Sequence, residues 1–293
     1  MEGWETLSRE TMQALQSQVE EAARQAGAFM LAYSCKPDGS AGQAEADETK
    51  EAKEAKKEIA VTVKEGHANY VTQVDVAVQN FLMDRLAKLL PHAGFLAEEE
   101  EKSRPKEQDL ALYWVIDPID GTTNFIRNLR RSAVSIGLVQ EGRGLLGVVY
   151  NPYQDELFSA AVGEGARCNG QPIQAAHTEL EDALIALGTS PYRRDLAERT
   201  MEAAKHLFLH CGDLRRTGSA ALDLCDIAAG RIDGFYEAVL SPWDYAASSV
   251  ILKEAGAFIG TLPPYTFGYT EPIPILAGGA VVFSALEQLL KHA

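Results

Sequence analysis

The stretch Trp114-Val-Ile-Asp-Pro-Ile-Asp-Gly-Thr-Thr-Asn-Phe125 sets two carboxylates, Asp117 and Asp120, three residues apart, with the hydroxyls of Thr122 and Thr123 close behind. An apolar run ends directly in Asp117. Pro118 has no N–H to donate, so it is expected to stop a strand ladder there. Gly121 permits a backbone turn that other residues avoid. Carboxylates and hydroxyls crowded into one turn suit a hard divalent cation. Magnesium takes oxygen ligands in octahedral geometry and keeps several waters. The same residues also suit a turn whose Asp caps a helix at Thr122, and the spacing alone leaves both readings open.

Other acids could join this pair. Glu98, Glu99, Glu100 and Glu101 follow the apolar Phe95-Leu96-Ala97. Alone, such a run reads as a solvated face. Asp244 stands in Ser-Pro-Trp-Asp ahead of an alanine-rich helix, and Asp75 opens a helix after Val-Thr-Gln-Val. Each alone reads as a helix cap.

The elements that must hold these residues follow from periodicity. Residues 5–33 repeat apolar side chains at helical spacing, and 75–90 show an amphipathic helix with Val76, Phe81, Leu82, Leu86 and Leu89 on its apolar face. Strands are expected at 59–64, 111–116, 133–139 and 145–150, the last two joined as a hairpin by the turn at 140–144. Further on come a strand at 183–189, helices at 193–210 and 219–229, a strand near 234–239 and a helix at 244–256. A last strand, Ala-Val-Val-Phe at 280–283, and a last helix at 284–291 close the chain. Strands and helices coexist throughout, which gives a layered α/β or α+β protein. A division into 1–165 and 166–293 is expected, the first part carrying most of the acids.

The chain has 293 residues, enough for a sizeable core, and 46% of them are hydrophobic. Its net charge is −15, from 27 basic and 42 acidic residues. That balance argues against nucleic acid and anionic membranes as partners. It also repels an anionic substrate unless cations intervene. Cys35, Cys168, Cys211 and Cys225 form no CxxC pair and read as free thiols of a reducing cytoplasm. No apolar run reaches the ~18 residues of a membrane helix. His206 and His210 are four apart but lack a third zinc ligand, so they read as a helix face. Residues 36–57 have almost no large apolar side chain and read as a solvated excursion, with a lid over a phosphate as the alternative.

Taken together, the motifs resemble those of one family. WVIDPIDGTTNF, with AVSIGLV downstream, resembles the signature of the inositol monophosphatase family. SPWDYAASSVILKEAGA resembles that family's second signature, FLAEEE its Gly-Glu-Glu segment, and VTQVD its Val-Thr-x-x-Asp motif. All four stand in the family's order between residues 71 and 256, and the resemblance thins before residue 58 and after about 260.

The resemblance implies a five-layer α-β-α-β-α sandwich and a magnesium-dependent, lithium-sensitive phosphatase of small phosphorylated metabolites, acting as a homodimer. It implies that Glu98, Asp117 and the carbonyl of Ile119 hold one magnesium ion, and Asp117, Asp120 and Asp244 a second. Asp75, with Glu98, would support a weaker third. Thr122 and Asp75 would orient and activate the attacking water. The amides of Gly121 and Thr122 would hold phosphate oxygens, as helix N-termini do. Gly218, Ser219 and Ala220 match the family's Gly-Thr-Ala segment on the sugar side. Glu237, seven residues before Asp244, matches a carboxylate that grips a substrate hydroxyl.

Inositol monophosphate is the first substrate this implies. Fructose-1,6-bisphosphate stays open. 3′-Phosphoadenosine 5′-phosphate is disfavoured, because nucleotide phosphatases of this type usually have Lys where Thr123 stands. A binding or regulatory protein on the same scaffold is the reading from another class. Departures from the family pattern include a small one and one that bears on substrate. Ala97 replaces a Gly of the pattern, and the loop after the signature carries Arg127, Arg130 and Arg131, which read either as solvated or ion-paired residues or as readers of a second anion.

Overall fold

The structure is a computed structural model that describes residues 9–33, 61–63, 70–99 and 111–291. Cys35 and the segment 36–57 lie outside the described residues. Two sheets carry the architecture. The first has seven strands in the order β3-β4-β5-β6-β7-β8-β9: Gly94–Ala97, Leu112–Asp120, Ala133–Gln140, Arg143–Asn151, Glu156–Ala161, Ala166–Cys168 and Gln171–Pro172. The second has five, ordered β11-β10-β12-β14-β13: Asp213–Arg215, Leu184–Leu187, Gly234–Leu240, Ile273–Gly278 and Phe258–Gly260. A short antiparallel pair, β1 (Val61–Val63) and β2 (Tyr70–Thr72), stands apart.

Three hydrophobic cores separate the layers. Helices α1 (Arg9–Tyr33) and α2 (Gln73–Leu89) share one core with Trp114, Ile116, Ile136 and Val148 of the first sheet. The opposite face of that sheet gives Tyr113, Val115 and Val149 to a second core. This second core also holds α5 (Ala220–Ala228), α6 (Pro242–Glu254) and, from the second sheet, Phe235, Ile275 and Ala277. Tyr236 and Leu276 face the other way, into a third core with α4 (Ala197–His210) and α7 (Ala280–Leu290). Alternation along the strands thus divides each sheet between two cores. The result is the α-β-α-β-α sandwich expected from the sequence.

Burial follows from the side chains. α2 turns Val74, Val78, Leu82 and Leu86 inward at intervals of four, whereas Val76, expected on that face, is exposed. α5 is apolar nearly all round and is buried along its whole length between the sheets.

Two expectations need correction. Pro118 does not end its strand. β4 continues to Asp120, which pairs with Ala133, and the register with β5 shifts between Asp117 and Asp120. The proline sits where the ladder is already irregular, so its missing donor is not needed. Likewise Ala-Val-Val-Phe at 280–283 is no strand but the first turn of α7, because Val282, Leu286 and Leu290 fall on one buried face. The last strand is β14, whose Pro274 lies in the register break between Glu237 and Leu240 of β12. No described helix is long and apolar enough to cross a membrane.

Candidate active site

Three helices begin around one cavity of about 260 Å³, and a fourth begins behind it. Asp75 and Asp244 are not caps but stand one turn in. Each reaches back to its helix entry: Asp75 Oδ2 accepts the Thr72 amide at 2.8 Å, and Asp244 Oδ2 the Ser241 amide at 2.8 Å. The short helix α3 (Thr122–Ile126) starts from Gly121, whose φ of 83° is left-handed. A β-carbon there would meet the carbonyls of Arg131 and Gly218 at 3.1 Å, so glycine is required twice over. Ser219 caps α5.

The break in β4 turns Asp117 and Asp120 into the cavity together. Asp117 Oδ1 accepts the Ile119 amide at 2.9 Å. Asp120 Oδ2 accepts the Ser219 hydroxyl and, at 3.2 Å, the Ala221 amide, which ties the strand to the start of α5. Asp244 arrives from α6. Oxygens of Asp117, Asp120 and Asp244 all lie within 4.8 Å of one another. Glu98, just past β3, and Ile119 line the same cavity. Asp75 lies behind it, where the Thr122 hydroxyl stands 3.3 Å from Asp75 Oδ1 and 3.1 Å from the Ile119 carbonyl. One hydroxyl proton serves both acceptors by turns.

The acids strain against one another. Burial, then the charges of Glu98, Asp120 and Asp244, push Asp117 well above the ordinary carboxylate range. Asp244 is pushed well up by burial and then by Asp120 and Glu98. Burial also raises Asp120 to about 7, against the pull of the Ser219 hydroxyl, and Asp75 to about 6, against Thr72. Among the described residues no basic group forms an ion pair with Asp117, Asp120 or Asp244. An all-oxygen set of crowded, uncompensated carboxylates fits a hard divalent cation.

The far wall of the cavity belongs to the second sheet. Glu237 on β12 is 6% exposed, and its Oε1 accepts the amide and hydroxyl of Ser190 at 2.7 and 3.0 Å. Burial pushes it up to about 7, against those bonds. Gly218, Ser219 and Ala220 line the cavity as well, but the Ser219 hydroxyl is spent on Asp120.

Sequence reasoning missed Tyr192 and Arg216, which also line the cavity. Tyr192 lies in a turn with no periodicity to mark it. Arg216 had one signal, its place two residues before Gly218. Of the arginines that were singled out, Arg127 and Arg130 are exposed and away from the cavity wall. Arg131 is held by Asp223 and Asp226, each at 2.8 Å. Cys168, Cys211 and Cys225 are free, and among the described residues no cysteine or histidine lines the cavity. His206 meets Glu202 on the surface of α4, and His210 Nδ1 lies 2.7 Å from the His206 carbonyl, so the two do not converge on a metal.

Comparison with known proteins places this geometry. The model of the inositol monophosphatase family matches residues 17–284. Nus factor SuhB of Escherichia coli (strain K12) is 39% identical over 224 residues, 75% of this chain and 82% of its own length. Inositol-1-monophosphatase of Rhizobium meliloti (strain 1021) is 39% identical over 194 residues, 66% of this chain and 72% of its own. The solved structure of inositol monophosphatase from Anabaena (Nostoc) sp. PCC 7120 superposes with a TM-score of 0.75 at 30% identity, covering 95% of each chain. The four motifs, the layered sandwich and these matches agree: the chain is a phosphatase and belongs to the inositol monophosphatase family.

Proposed function

We propose that this protein hydrolyses phosphate monoesters of small polyols or sugars with magnesium, and that inositol monophosphate is its reference substrate. The observation that carries the reading is the uncompensated triad formed by Asp117 and Asp120 of β4 and Asp244 in the first turn of α6. In this reading Glu98, Asp117 and the carbonyl of Ile119 hold one ion, and Asp117, Asp120 and Asp244 a second. Asp75 and Glu98 support a weaker third. Bound magnesium supplies positive charge against the phosphate, about two negative charges at neutral pH, and against the leaving oxygen.

The chain's own groups do the rest. The amides of Gly121 and Thr122 hold phosphate oxygens at a helix start. Thr122 Oγ1 and Asp75 Oδ1 orient the attacking water and draw off its proton. Water's oxygen forms the new bond to phosphorus, the ester oxygen leaves in line, and it is protonated as the alcohol. Glu237 accepts a hydroxyl of the alcohol, which lies along Gly218, Ser219 and Ala220. Residues 1–165 supply most metal ligands, and 166–293 complete the site. A homodimer and lithium sensitivity belong to the same reading and rest on family membership.

The substrate assignment leans on the name of the Rhizobium relative. Fructose-1,6-bisphosphate and 3′-phosphoadenosine 5′-phosphate are the alternatives. A second class stays in view because other relatives bear the name Nus factor, which is not that of a phosphatase. Magnesium-dependent phosphate release from the three esters, measured side by side, decides. Turnover of inositol-1-phosphate at a kcat/KM of ~10⁴ M⁻¹s⁻¹ or more upholds the proposal. Three intact esters with magnesium present overturn it in favour of a binding role.

A further inference from the structure

Among the described residues, Arg216 has no counter-ion, although it lines a cavity crowded with acids. Its Nε and Nη2 lie 3.2 and 3.1 Å from the hydroxyl of Thr189, a neutral partner. Its Nη1 lies over Gly218, 2.5 Å from where a β-carbon would stand. A guanidinium has five N–H donors, so both hydrogens of Nη1 and one of Nη2 are left without a partner among the described residues. The cavity wall includes Asp117, Asp120, Asp223, Glu237 and Asp244, yet none forms an ion pair with Arg216. Asp223 is taken by Arg131 and by the Thr217 hydroxyl at 2.6 Å, and Glu237 by Ser190. The guanidinium is near enough to Glu237 for its charge to pull that carboxyl's pKa down, against the larger upward push of burial. It therefore stands with Gly218 and Glu237, on the side of the cavity given to the alcohol.

We propose that Arg216 is a specificity residue that reads a second anionic group, a phosphate or a carboxylate, on the leaving-group half of the substrate. The inference rests on the phosphatase reading of the same site. A guanidinium presents paired donors in a plane that matches phosphate or carboxylate oxygens two at a time. Thr189 fixes that plane from behind. In that reading the phosphate being transferred would already be met by carboxylate-held cations and by the amides of Gly121 and Thr122, so Arg216 is left for a different anion. Arg216 thus takes the role that the sequence suggested for Arg127, Arg130 and Arg131.

The test compares fructose-1,6-bisphosphate with fructose-1-phosphate and fructose-6-phosphate, in wild type, Arg216→Gln and Arg216→Lys. Arg216 is exposed, so the variants are expected to fold, and unchanged melting curves check this. Wild type is expected to favour the bisphosphate over the better monophosphate by roughly tenfold or more in kcat/KM, the scale of a charge-assisted hydrogen bond. Arg216→Gln is expected to erase that preference, mainly through KM, while leaving the monophosphates within about threefold of wild type. Arg216→Lys keeps the charge but not the fork and is expected to restore part of it. A wild type without the preference overturns the proposal. So does an Arg216→Gln variant that loses mono- and bisphosphate turnover by the same factor, which would assign Arg216 to the transferred group. If no ester is hydrolysed, the phosphatase reading fails separately. Calorimetric titration of the same three probes with magnesium then judges Arg216 alone: tighter bisphosphate binding lost in Arg216→Gln upholds the proposal, and equal binding overturns it.

Discussion

Asp117 illustrates a conflict between stability and function at a single residue. It is 2% exposed, hydrogen-bonded once, and surrounded by the charges of Glu98, Asp120 and Asp244. Without a cation, an ionised Asp117 costs the fold both desolvation and like-charge repulsion. Asparagine has nearly the same shape, keeps an Oδ1 that accepts the Ile119 amide, and carries no charge. Asp117→Asn is therefore expected to raise the melting temperature of the metal-free protein by a few degrees, since about 1 kcal/mol corresponds to roughly 2–4 °C in a domain of this order. It is also expected to lower kcat by at least ~1000-fold, because the carboxylate that two cations would share is lost. Thermal melts in EDTA and turnover at saturating magnesium check the two halves. A variant that melts lower in EDTA and still turns over would show that Asp117 is neither strained nor a ligand.

At the scale of elements, the site depends on how closely α6 lies on the first sheet. Gly147 of β6 faces Ala247, and a β-carbon on Gly147 would stand 2.0 Å from the Ala247 carbonyl oxygen. The helix can sit there only because the strand offers no side chain. Its first turn then delivers Asp244 to the carboxylates of β4. Gly147→Ala is expected to force α6 outward, lower the melting temperature by several degrees as overpacking does, and weaken magnesium affinity by roughly tenfold. Gly268→Ala, where a β-carbon meets nothing within 4 Å, is the control that leaves both unchanged. Magnesium titrations followed by melting temperature would distinguish them, and equal affinities in both variants would refute the link between α6 and the site. The same packing explains what was legible beforehand. Asp117, Asp120 and Thr122 lie in one contiguous motif and Asp244 in a second, and it was the resemblance to the family that joined the two. β14 was hidden because Pro274 argues against a strand and is tolerated only at a break in pairing with β12. The β-branched Val281-Val282 pair imitated a strand, while the helical spacing of Val282, Leu286 and Leu290 prevailed in the fold. Arg216 and Tyr192 carry no local pattern. They meet the carboxylates only because the second sheet packs beside α5 and α6.

For the whole molecule, the site sets how stability responds to pH. Burial raises Asp75 from 3.8 to about 6, Asp120 from 3.8 to about 7 and Glu237 from 4.5 to about 7, and lifts Asp117 and Asp244 well above their ordinary values. All these shifts have the same sign. Between the ordinary values and the raised ones, the folded chain holds protons that the unfolded chain has released. Stability from these groups is fully present below about pH 4 and is lost as pH rises through about 6 to 7. The opposite shifts of the ion-paired surface acids Glu164, Asp195, Glu202 and Asp213 act below that window. The metal-free protein is thus expected to melt at progressively lower temperature from about pH 5 to about pH 8. Saturating magnesium should reverse the trend, because a cation competes with protons for the same carboxylates and binds better once they are ionised. The net charge of −15 adds a general self-repulsion of the same sign, but salt screens that part. Melts in EDTA at ~0.5 M sodium chloride therefore isolate the buried groups, which salt screens much less. A melting temperature that stays level or rises over that range in EDTA, or a magnesium-induced gain no larger near pH 8 than near pH 5, would mean that the carboxylates are not the seat of cation binding. A gain that grows with pH and disappears in Asp117→Asn would tie the acid chemistry of the buried cluster to the stability of the whole sandwich.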